Sequence, residues 1–376
     1  MMKLNILTHS LLFSLLFLIG CSNSNQKNNT EQPAGISNSE SNKIYLSEAL
    51  GTVNLGNTCF ANSVHKLIWE YLRNHKVNPS IKKNTDVQKS FYDFMAIMNR
   101  KNDLLNTNPS QVTFENAKDP FYEYQLNTLF ENIKNELKSQ GGDGTISGYS
   151  LKKDQMDADE YFVKLIDLLD LNSVLPSLTI STQIVLKSGR KLPAQAESTK
   201  KDGSPNDIFY FRINIQNKLH SFDQLLLNNL TTEIDDFRVE GVPHNITKNT
   251  YFTLKDMNKI PDKFVFGLKR FTHDLNGKLS KNNDNISLSK NINIDFFSMN
   301  LSEKTSVSYE LNGVVVHYGN GLNGGHYVAY IMADNNNWYK HNDTHISLIE
   351  TDYEQLEMKN DIENNGYLFL FSKINN

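Results

Sequence analysis

The pattern of apolar residues changes near residue 175, and this change limits the folds open to the chain. From residue 51 to about 175, apolar residues recur at the three- and four-residue spacing of amphipathic helices. Beyond 175, segments such as KFVFGLKRF and GHYVAYIMA place β-branched and aromatic residues between turn signals, which is typical of strands. Helices followed by strands predict an α+β architecture, with the chemistry at the seam between two lobes.

Local signals place the helices of the first lobe. They predict one helix from Cys59, one through 91–98, one through 122–137 that Gly141 and Gly142 stop, and one over roughly 157–170. In the strand-rich half, Asn276-Gly277 is a plausible hairpin turn.

Charge argues against one class of partner. The 376 residues hold 38 Lys and Arg against 42 Asp and Glu, a formal net charge of −4, and no basic stripe. Nucleic-acid-binding proteins usually show a basic excess clustered on one face. We therefore expect no nucleic-acid partner.

Residues 1–20 are predicted to be a signal peptide. Lys3 precedes the run LLFSLLFLIG, which is too short to span a membrane comfortably as a mature helix. The run ends at Gly20 and Cys21, which resembles the lipobox of bacterial lipoproteins and implies cleavage before an acylated Cys21. A plain signal peptide or signal anchor with a chance cysteine is the alternative.

The segment 21–46 is predicted to be a disordered tether between lipid and folded domain. It is rich in Asn and Ser and poor in apolar residues, so it cannot bury enough surface to offset its ordering entropy. Ser22 resembles the residue found in lipoproteins sorted to an outer membrane. These features predict a bacterial membrane-anchored protein, attached through Cys21.

The chain has two cysteines, so if Cys21 carries lipid, Cys59 has no intramolecular partner. Cys59 directly precedes an amphipathic segment and is predicted to begin a helix. The positive end of the helix dipole favours a thiolate there, the form that attacks carbonyls. An inert buried cysteine is the alternative.

A second stretch supplies the partners that a reactive thiol needs. In GGHYVAYIMADNNNWYKHNDT, His326 follows a Gly pair, and Asn342 or Asp343 follows an aromatic segment. A thiol needs a base to take its proton, and the imidazole needs an acceptor to hold its tautomer. Cys59, His326 and Asn342 can supply these three roles.

With the segments around Cys59 and His326, the sequence resembles the ubiquitin-specific proteases, which are papain-like deubiquitinases. The matching segments, in the family's order, are NLGNTCFAN, QMDADEYF, FVFGLKRF, YELNGVVVHYG, GGHYVAYI with WYKHND, and GYLFLF. The resemblance implies a hand-shaped catalytic domain over 47–376, with a helical thumb at about 47–175, fingers at about 176–260 and a β-rich palm at about 261–376.

The resemblance assigns roles by position. Cys59 would be the nucleophile, His326 the general base and then acid, and Asn342 the acceptor of the His326 Nδ1 proton, with Asp343 as runner-up or supporting residue. Asn54 matches the oxyanion-stabilising position, where its amide would act with the Cys59 backbone N–H.

The resemblance also implies a channel for the ubiquitin tail. Asp157 and Glu160 share a helix face, and with Gln155 of the same motif they would line the channel and pair with tail arginines. Favourable charge near a helix N-terminus is the alternative. Gly324, Gly325 and Tyr327 would form the narrow passage for the terminal Gly-Gly.

Two departures from the family are visible. No cysteine follows Cys59, so the region around 230–250 cannot hold a Cys₄ zinc site, and we expect reduced, zinc-free fingers and no cofactor. His341 stands where the family usually has Phe. His317 matches a second family position that we interpret as structural.

The sequence therefore predicts a thiol-dependent deubiquitinase that hydrolyses the (iso)peptide bond after the Gly-Gly of ubiquitin or a ubiquitin-like protein. The leader resembles a bacterial one, whereas ubiquitin belongs to eukaryotic cells. We therefore expect the substrates to be ubiquitin conjugates of a eukaryotic host. A ubiquitin-binding protein without activity and a papain-like peptidase acting on envelope proteins are the alternatives.

Overall fold

The computed structural model describes residues 51–72, 84–107, 120–171, 178–199, 207–215, 220–239, 242–273, 279–321, 324–332 and 336–374. The predicted signal peptide, Cys21, the tether 21–46 and the Asn276-Gly277 turn lie outside these residues.

The described helices begin with four that precede the strands. They are α1 (Cys59–Leu72), α2 (Asp86–Thr107), α3 (Pro120–Ser139) and α4 (Ala158–Leu168), and two later ones are α5 (Phe222–Leu230) and α6 (Asp352–Asn365). Gly142 donates its N–H to the Leu137 carbonyl at 3.0 Å and, with Gly141, ends α3. The four early helices lie where the apolar periodicity predicts them.

The strands follow from residue 178 onward. They are β1 (Leu178–Leu186), β2 (Gln195–Ala196), β3 (Tyr210–Asn214), β4 (Thr231–Val239), β5 (Val242–Leu254), β6 (Lys263–Lys269), β7 (Phe271–His273), β8 (Leu279–Lys281), β9 (Asn291–Ser298), β10 (Lys304–Gly321), β11 (Gly324–Met332), β12 (Trp338–Asn342), β13 (His345–Ile349) and β14 (Gly366–Lys373).

Twelve of the described strands form one mixed sheet. Its main path runs β13-β12-β11-β10-β9-β5-β1-β2; off this path, β14 pairs with β10, β6 with β14, β3 with β6, and β4 with β5. The 18-residue β10 pairs with β9, β11 and β14, and is the strand around which the sheet is organised. Only the β3–β6 and β5–β9 pairs are parallel among these ladders.

Both faces of the central strands are buried. Val315, Tyr327 and Ala329 pack against the helices, whereas Val316 and Val328, one position along each strand, pack on the opposite face. Successive strand residues point to opposite faces, so a sheet covered on both sides needs apolar residues at nearly every position. This explains the continuous apolar runs in β10, β11 and β14.

The segment from β1 to β5 is held by strand pairing and hydroxyl contacts. β1 and β5 pair over nine residues, and Thr253 Oγ1 lies 2.7 Å from Thr179 Oγ1 and 2.9 Å from Ser181 Oγ. In the part of the chain that the structure describes, no cluster of His, Cys, Asp or Glu is arranged to hold a metal ion. None of the described helices has the length and apolarity needed to cross a membrane.

Candidate active site

The loop before α1 is shaped by the Asn54 side chain. Its Oδ1 accepts hydrogen bonds from the backbone N–H groups of Gly56 and Thr58, both at 3.1 Å. Gly56 has φ +122°, which a residue with a Cβ rarely adopts, so the turn favours glycine. The Thr58 carbonyl then accepts the Asn62 N–H at 2.9 Å, which places Cys59 as the first residue of α1.

Burial keeps Cys59 protonated in this structure. The residue is 4 % exposed, and burial raises the pKa of its thiol; the Tyr327 backbone hydrogen bond lowers the pKa, and the charge of Asp343 raises it further. The pKa is raised overall, contrary to the thiolate expected at a helix start. Desolvation disfavours the charged form more than the helix N-terminus favours it. A base must therefore take the proton.

His326 and Asn342 meet because of strand register. Ala329 of β11 pairs with His341 of β12, so Asn342 lies diagonally across from His326 on the same face of the sheet. His326 Nε2 lies 2.6 Å from Asn342 Oδ1. An amide oxygen can only accept, so Nε2 carries the proton and Nδ1 is left to act on the thiol. The expectation that Asn342 accepts from Nδ1 is wrong; the nitrogen is Nε2.

Asp343 points elsewhere, although it is the next residue. It turns the chain between β12 and β13 with φ +51°. Its carboxylate accepts from Asn62 Nδ2 at 2.7 Å and Asn54 Nδ2 at 2.8 Å, and its carbonyl accepts the Thr52 N–H at 2.7 Å. Asp343 thus binds the cysteine loop to the hairpin that carries Asn342.

Gly51 tightens the same junction. A Cβ on Gly51 would lie 2.4 Å from the Thr344 carbonyl oxygen, so only glycine allows this approach. Cys59 and His326, 267 positions apart in sequence, are brought near each other by this loop-to-turn contact and by packing of α1 on β11. No hydrogen bond joins the Cys59 thiol to His326 among the described contacts.

Asp157 caps α4. Its side chain accepts the Asp159 N–H at 2.7 Å, and the Tyr367 hydroxyl lies 2.6 Å from both of its carboxylate oxygens. Burial raises the pKa of Asp157 to about 6, against the lowering effect of the Tyr367 hydrogen bond. These contacts fit the helix-capping alternative, since both oxygens already accept hydrogen bonds within the fold.

Glu160 lies on the same helix but has no such partners. It is partly buried, makes no described hydrogen bond or ion pair, and lines a cavity of about 620 Å³ together with Arg212 and Lys164. Asp159, which the sequence patterns did not single out, accepts from Arg212 Nε at 2.9 Å and the Tyr210 hydroxyl at 2.5 Å.

The remaining predicted tail residues differ in accessibility. Gly325 has φ +149°, and a Cβ there would lie 2.2 Å from the Tyr318 carbonyl oxygen and 2.6 Å from His317 Nε2, whereas Gly324 has open space. Gln155 is partly buried, and its Nε2 has no hydrogen-bond partner.

Tyr327 is fully buried, which argues against its ring forming the wall of an open passage. Its hydroxyl oxygen accepts the Ala158 N–H at 3.4 Å. Its backbone, by contrast, contacts the Cys59 thiol. Tyr327 therefore links the helical lobe to the strand that carries His326.

Two histidines near the site are buried and neutral. Burial lowers the pKa of His317 to about 3 and that of His341 well below its usual range. The His317 ring packs on Tyr327 and Phe271, with ring centroids 4.5 and 5.1 Å away. His341 is 3 % exposed and fills the core position where the family usually has Phe. Neither is available as a second base.

Sequence reasoning missed Asn62 and Glu123. Asn62 stands three residues after Cys59, within the cysteine box, so a helical projection could have placed it on the face that bears the thiol. Glu123 of α3 carries no sequence signal. It lines a cavity of about 500 Å³ beside the site, together with Val53, Asn54, Asn342, Asp343, Thr344 and His345.

Comparisons with known proteins bear on this arrangement. Residues 50–371 match the family model described as "Ubiquitin carboxyl-terminal hydrolase". Ubiquitin carboxyl-terminal hydrolase 8 of Saccharomyces cerevisiae is 26% identical over 332 residues, covering 80% of this chain and 66% of the relative. Ubiquitin carboxyl-terminal hydrolase 9 of Arabidopsis thaliana is 38% identical over 112 residues, covering 28% of this chain and 11% of the relative. This chain thus spans less than two thirds of their length.

Solved structures share the fold. The SAGA Ubp8/Sgf11/Sus1/Sgf73 DUB module bound to ubiquitin aldehyde matches with a TM-score of 0.59 and 18% identity, covering 88% of this chain and 70% of that one. A SAGA DUB module bound to monoubiquitin matches with a TM-score of 0.57 and 18% identity, covering 88% of this chain and 70% of that one. The expected α+β, papain-like hand is confirmed.

Proposed function

Because this chain belongs to the ubiquitin carboxyl-terminal hydrolase family, we propose that it is a thiol-dependent deubiquitinase. It hydrolyses the (iso)peptide bond after the C-terminal Gly-Gly of ubiquitin or a ubiquitin-like protein. The observation that carries the proposal is the contact between His326 and Asn342. Asn342 ends β12, and the turn that follows it binds the Cys59 loop through Asp343.

The first step is proton transfer from the Cys59 thiol to His326 Nδ1. Asn342 holds Nε2–H and keeps the imidazole in this tautomer. The thiolate attacks the carbonyl carbon of the terminal glycine. The Cys59 backbone N–H and the second amide hydrogen of Asn54 stabilise the oxyanion, since the first hydrogen is bound to Asp343.

Collapse of this intermediate breaks the C–N bond. His326 returns its proton to the departing amine, and the glycine remains as a thioester on Cys59. His326 then takes a proton from water, whose oxygen attacks the thioester. Return of that proton to the sulfur releases the carboxylate product and the free thiol.

The tail of the substrate enters past α4. Glu160 is the carboxylate there without a partner in the described fold, so it pairs with an arginine of the tail. Gly325, where any side chain would meet Tyr318 and His317, keeps the approach to the thiol narrow. Asp157 supports this wall as the cap of α4.

The leader supports a proposal about location. Cys21, after its lipobox-like run, is acylated and anchors the domain to a bacterial membrane, from which it acts on conjugates of a eukaryotic host. An alkyne fatty acid fed to producing cells should label the wild-type chain and leave Cys21→Ser unlabelled. Equal labelling of the two chains would contradict this anchor.

The surroundings of Cys59 favour a second candidate, a ubiquitin-binding protein without turnover. Cys59 is 4 % exposed, burial raises the pKa of its thiol, and it has no described hydrogen bond to His326. A thiol in this state reacts slowly unless substrate binding brings base and thiol together.

A ubiquitin derivative with an electrophile at its C-terminus separates the candidates. The purified full chain should form a covalent adduct located on Cys59 by mass spectrometry. Cys59→Ala should form none while keeping its melting temperature, because the change removes a single sulfur atom. Binding of the probe without an adduct would support the second candidate, and absence of binding would contradict both.

A further inference from the structure

The 500 Å³ cavity beside Asn342 differs from the α4 side of the cleft. Its walls include Asn54 and Asn342 from the proposed mechanism, with the turn residues Asp343 and Thr344 and, from the helical lobe, Glu123 of α3. None of Asp157, Glu160, Gly325 or Tyr327 lines it. We call it the Glu123 cavity.

Position limits what this cavity can receive. Glu160 and Gly325 belong to the side proposed to admit the ubiquitin tail, the acyl part of the substrate. The Glu123 cavity touches the same reacting centre through Asn54 and Asn342 but shares no residue with that side. The part of the substrate left to occupy it is the amine part, meaning the lysine that accepts ubiquitin and its neighbouring residues.

The charges of the cavity favour a basic occupant. Among the described residues that line it, two carry carboxylates and none is Lys or Arg. Asp343 already accepts two amide N–H groups, from Asn54 and Asn62. Glu123 is exposed and makes no side-chain hydrogen bond or ion pair among the described contacts. An unpaired carboxylate next to the leaving group attracts cations and repels acidic residues.

We propose that the Glu123 cavity binds the amine-side segment of the substrate, and that Glu123 selects modified lysines flanked by Lys or Arg over lysines flanked by Asp or Glu. This proposal rests on the proposed deubiquitinase activity and adds a preference for the second half of the substrate. His345, on the same wall, offers a ring nitrogen to polar groups of that segment.

The size of the preference follows from the exposure of Glu123. Exposed ion pairs change equilibria by about 1.4- to 5-fold, and repulsion of an acidic segment acts in the same direction. We therefore expect kcat/KM for a basic segment to exceed that for an acidic one by about 3- to 10-fold at low ionic strength. The ratio should fall towards one in about 0.5 M salt, because salt screens exposed charges.

The test uses the full chain and three substrates. Two are ubiquitin joined by an isopeptide bond to a short peptide whose central lysine is flanked either by arginines or by glutamates. The third is ubiquitin carrying 7-amino-4-methylcoumarin, which has no peptide on the amine side. The readout is the ratio of kcat/KM for the two peptide conjugates.

The variants replace one carboxylate residue of α3. Glu123→Gln should bring the ratio close to one, and Glu123→Lys should invert it. Glu131→Gln is the matched control, because Glu131 is an exposed carboxylate on the same helix that does not line the cavity. Its ratio should equal that of the wild type.

Each outcome separates the two proposals. If the wild type cleaves the coumarin substrate but treats the two peptide conjugates alike, the inference about Glu123 is wrong and the deubiquitinase proposal stands. A preference that survives Glu123→Lys would also overturn the inference. If the wild type cleaves none of the three substrates, the deubiquitinase proposal fails and the inference with it.

Discussion

Two carboxylates approach the region of the thiol from different parts of the fold, and their surroundings differ. Asp343, in the β12–β13 turn, accepts amide hydrogens from Asn54 and Asn62, which lie 289 and 281 positions away in sequence. Asp157, at the start of α4, accepts the N–H of Asp159, two residues on, and the Tyr367 hydroxyl. Asp343 joins distant segments, whereas Asp157 caps the helix that follows it and also accepts from Tyr367, 210 positions away.

The contrast shows how to choose among acidic residues near a site. Sequence position alone made Asp157 and Asp343 candidates for contact with substrate or histidine. Both accept hydrogen bonds within the fold, while no hydrogen bond or ion pair is made by the side chains of Glu160 and Glu123 among the described residues. Carboxylates without internal partners are the ones free to meet a charged substrate.

The largest effect should separate Asn342 from Asp343. Asn342→Ala removes the acceptor for His326 Nε2, so kcat should fall by about 10²- to 10⁴-fold with little change in melting temperature. Asn342→Asp, which keeps an acceptor, should recover much of the rate. Steady-state kinetics with ubiquitin–coumarin and thermal unfolding check both.

Asp343→Ala should act mainly on stability. It leaves the Asn54 and Asn62 amides without their acceptor, which costs about 2–4 kcal/mol and lowers the melting temperature by several degrees. Activity should fall as well, because Asn54 loses its orientation. If Asp343→Ala removed activity at unchanged melting temperature while Asn342→Ala stayed active, the two assignments would have to be exchanged.

A smaller effect concerns the pH dependence of Asp157. Its pKa of about 6 in the fold lies above the ordinary value of 3.8, so the folded state binds the proton more tightly than the unfolded state. The contribution of Asp157 to stability is then fully present below about pH 4 and is lost as pH rises through about 6. The full shift corresponds to about 3 kcal/mol, and partial exposure of the residue reduces this to roughly 1–2 kcal/mol.

Asp157→Asn should remove this dependence. The difference in unfolding free energy between variant and wild type should change between pH 4 and 6 and become constant above about pH 7, measured by urea unfolding. The amide oxygen can still accept the Asp159 N–H. Parallel pH profiles for the two proteins would show that the carboxyl group titrates normally.

The smallest effect concerns Glu160. Glu160→Gln should raise KM for ubiquitin–coumarin by about 2- to 5-fold through loss of a partly exposed ion pair with a tail arginine. A neutral Gly-Gly peptide with the same leaving group should be unaffected, and Glu131→Gln should behave as the wild type with both. An equal rise in KM for the neutral peptide would contradict a tail-binding role.

Motifs with local meaning were predictable from sequence. The helix beginning at Cys59, the strand that carries His326 and the class of fold follow from apolar periodicity and from the ordered boxes of a known family. Position in the motif favours Asn342 over Asp343, and the strand register places Asn342 beside His326. These features depend on neighbouring residues, whose spacing determines the face on which each side chain lies.

Other features depend on residues far apart in the chain. Packing between α1, the loop before it and strands β11 to β13 decides three of them. They are the His326 nitrogen that faces Asn342, the raised pKa of the Cys59 thiol, and the amide partners of Asp343. The burial of Cys59 cannot be read from the local sequence. Burial raises the pKa of the thiol above the value that a helix N-terminus alone would favour.

By itself, then, the sequence determined the family, the α+β order of elements and the candidate catalytic residues, because these depend on local patterns. Only the tertiary structure decided which groups are already engaged and which are free, because hydrogen bonding and desolvation depend on what packs around each atom. Asp343 and Glu123 show the difference. Asp343 belongs to a sequence motif, but its carboxylate binds the loop before α1. Glu123 belongs to no motif, but it lines the cavity beside the site.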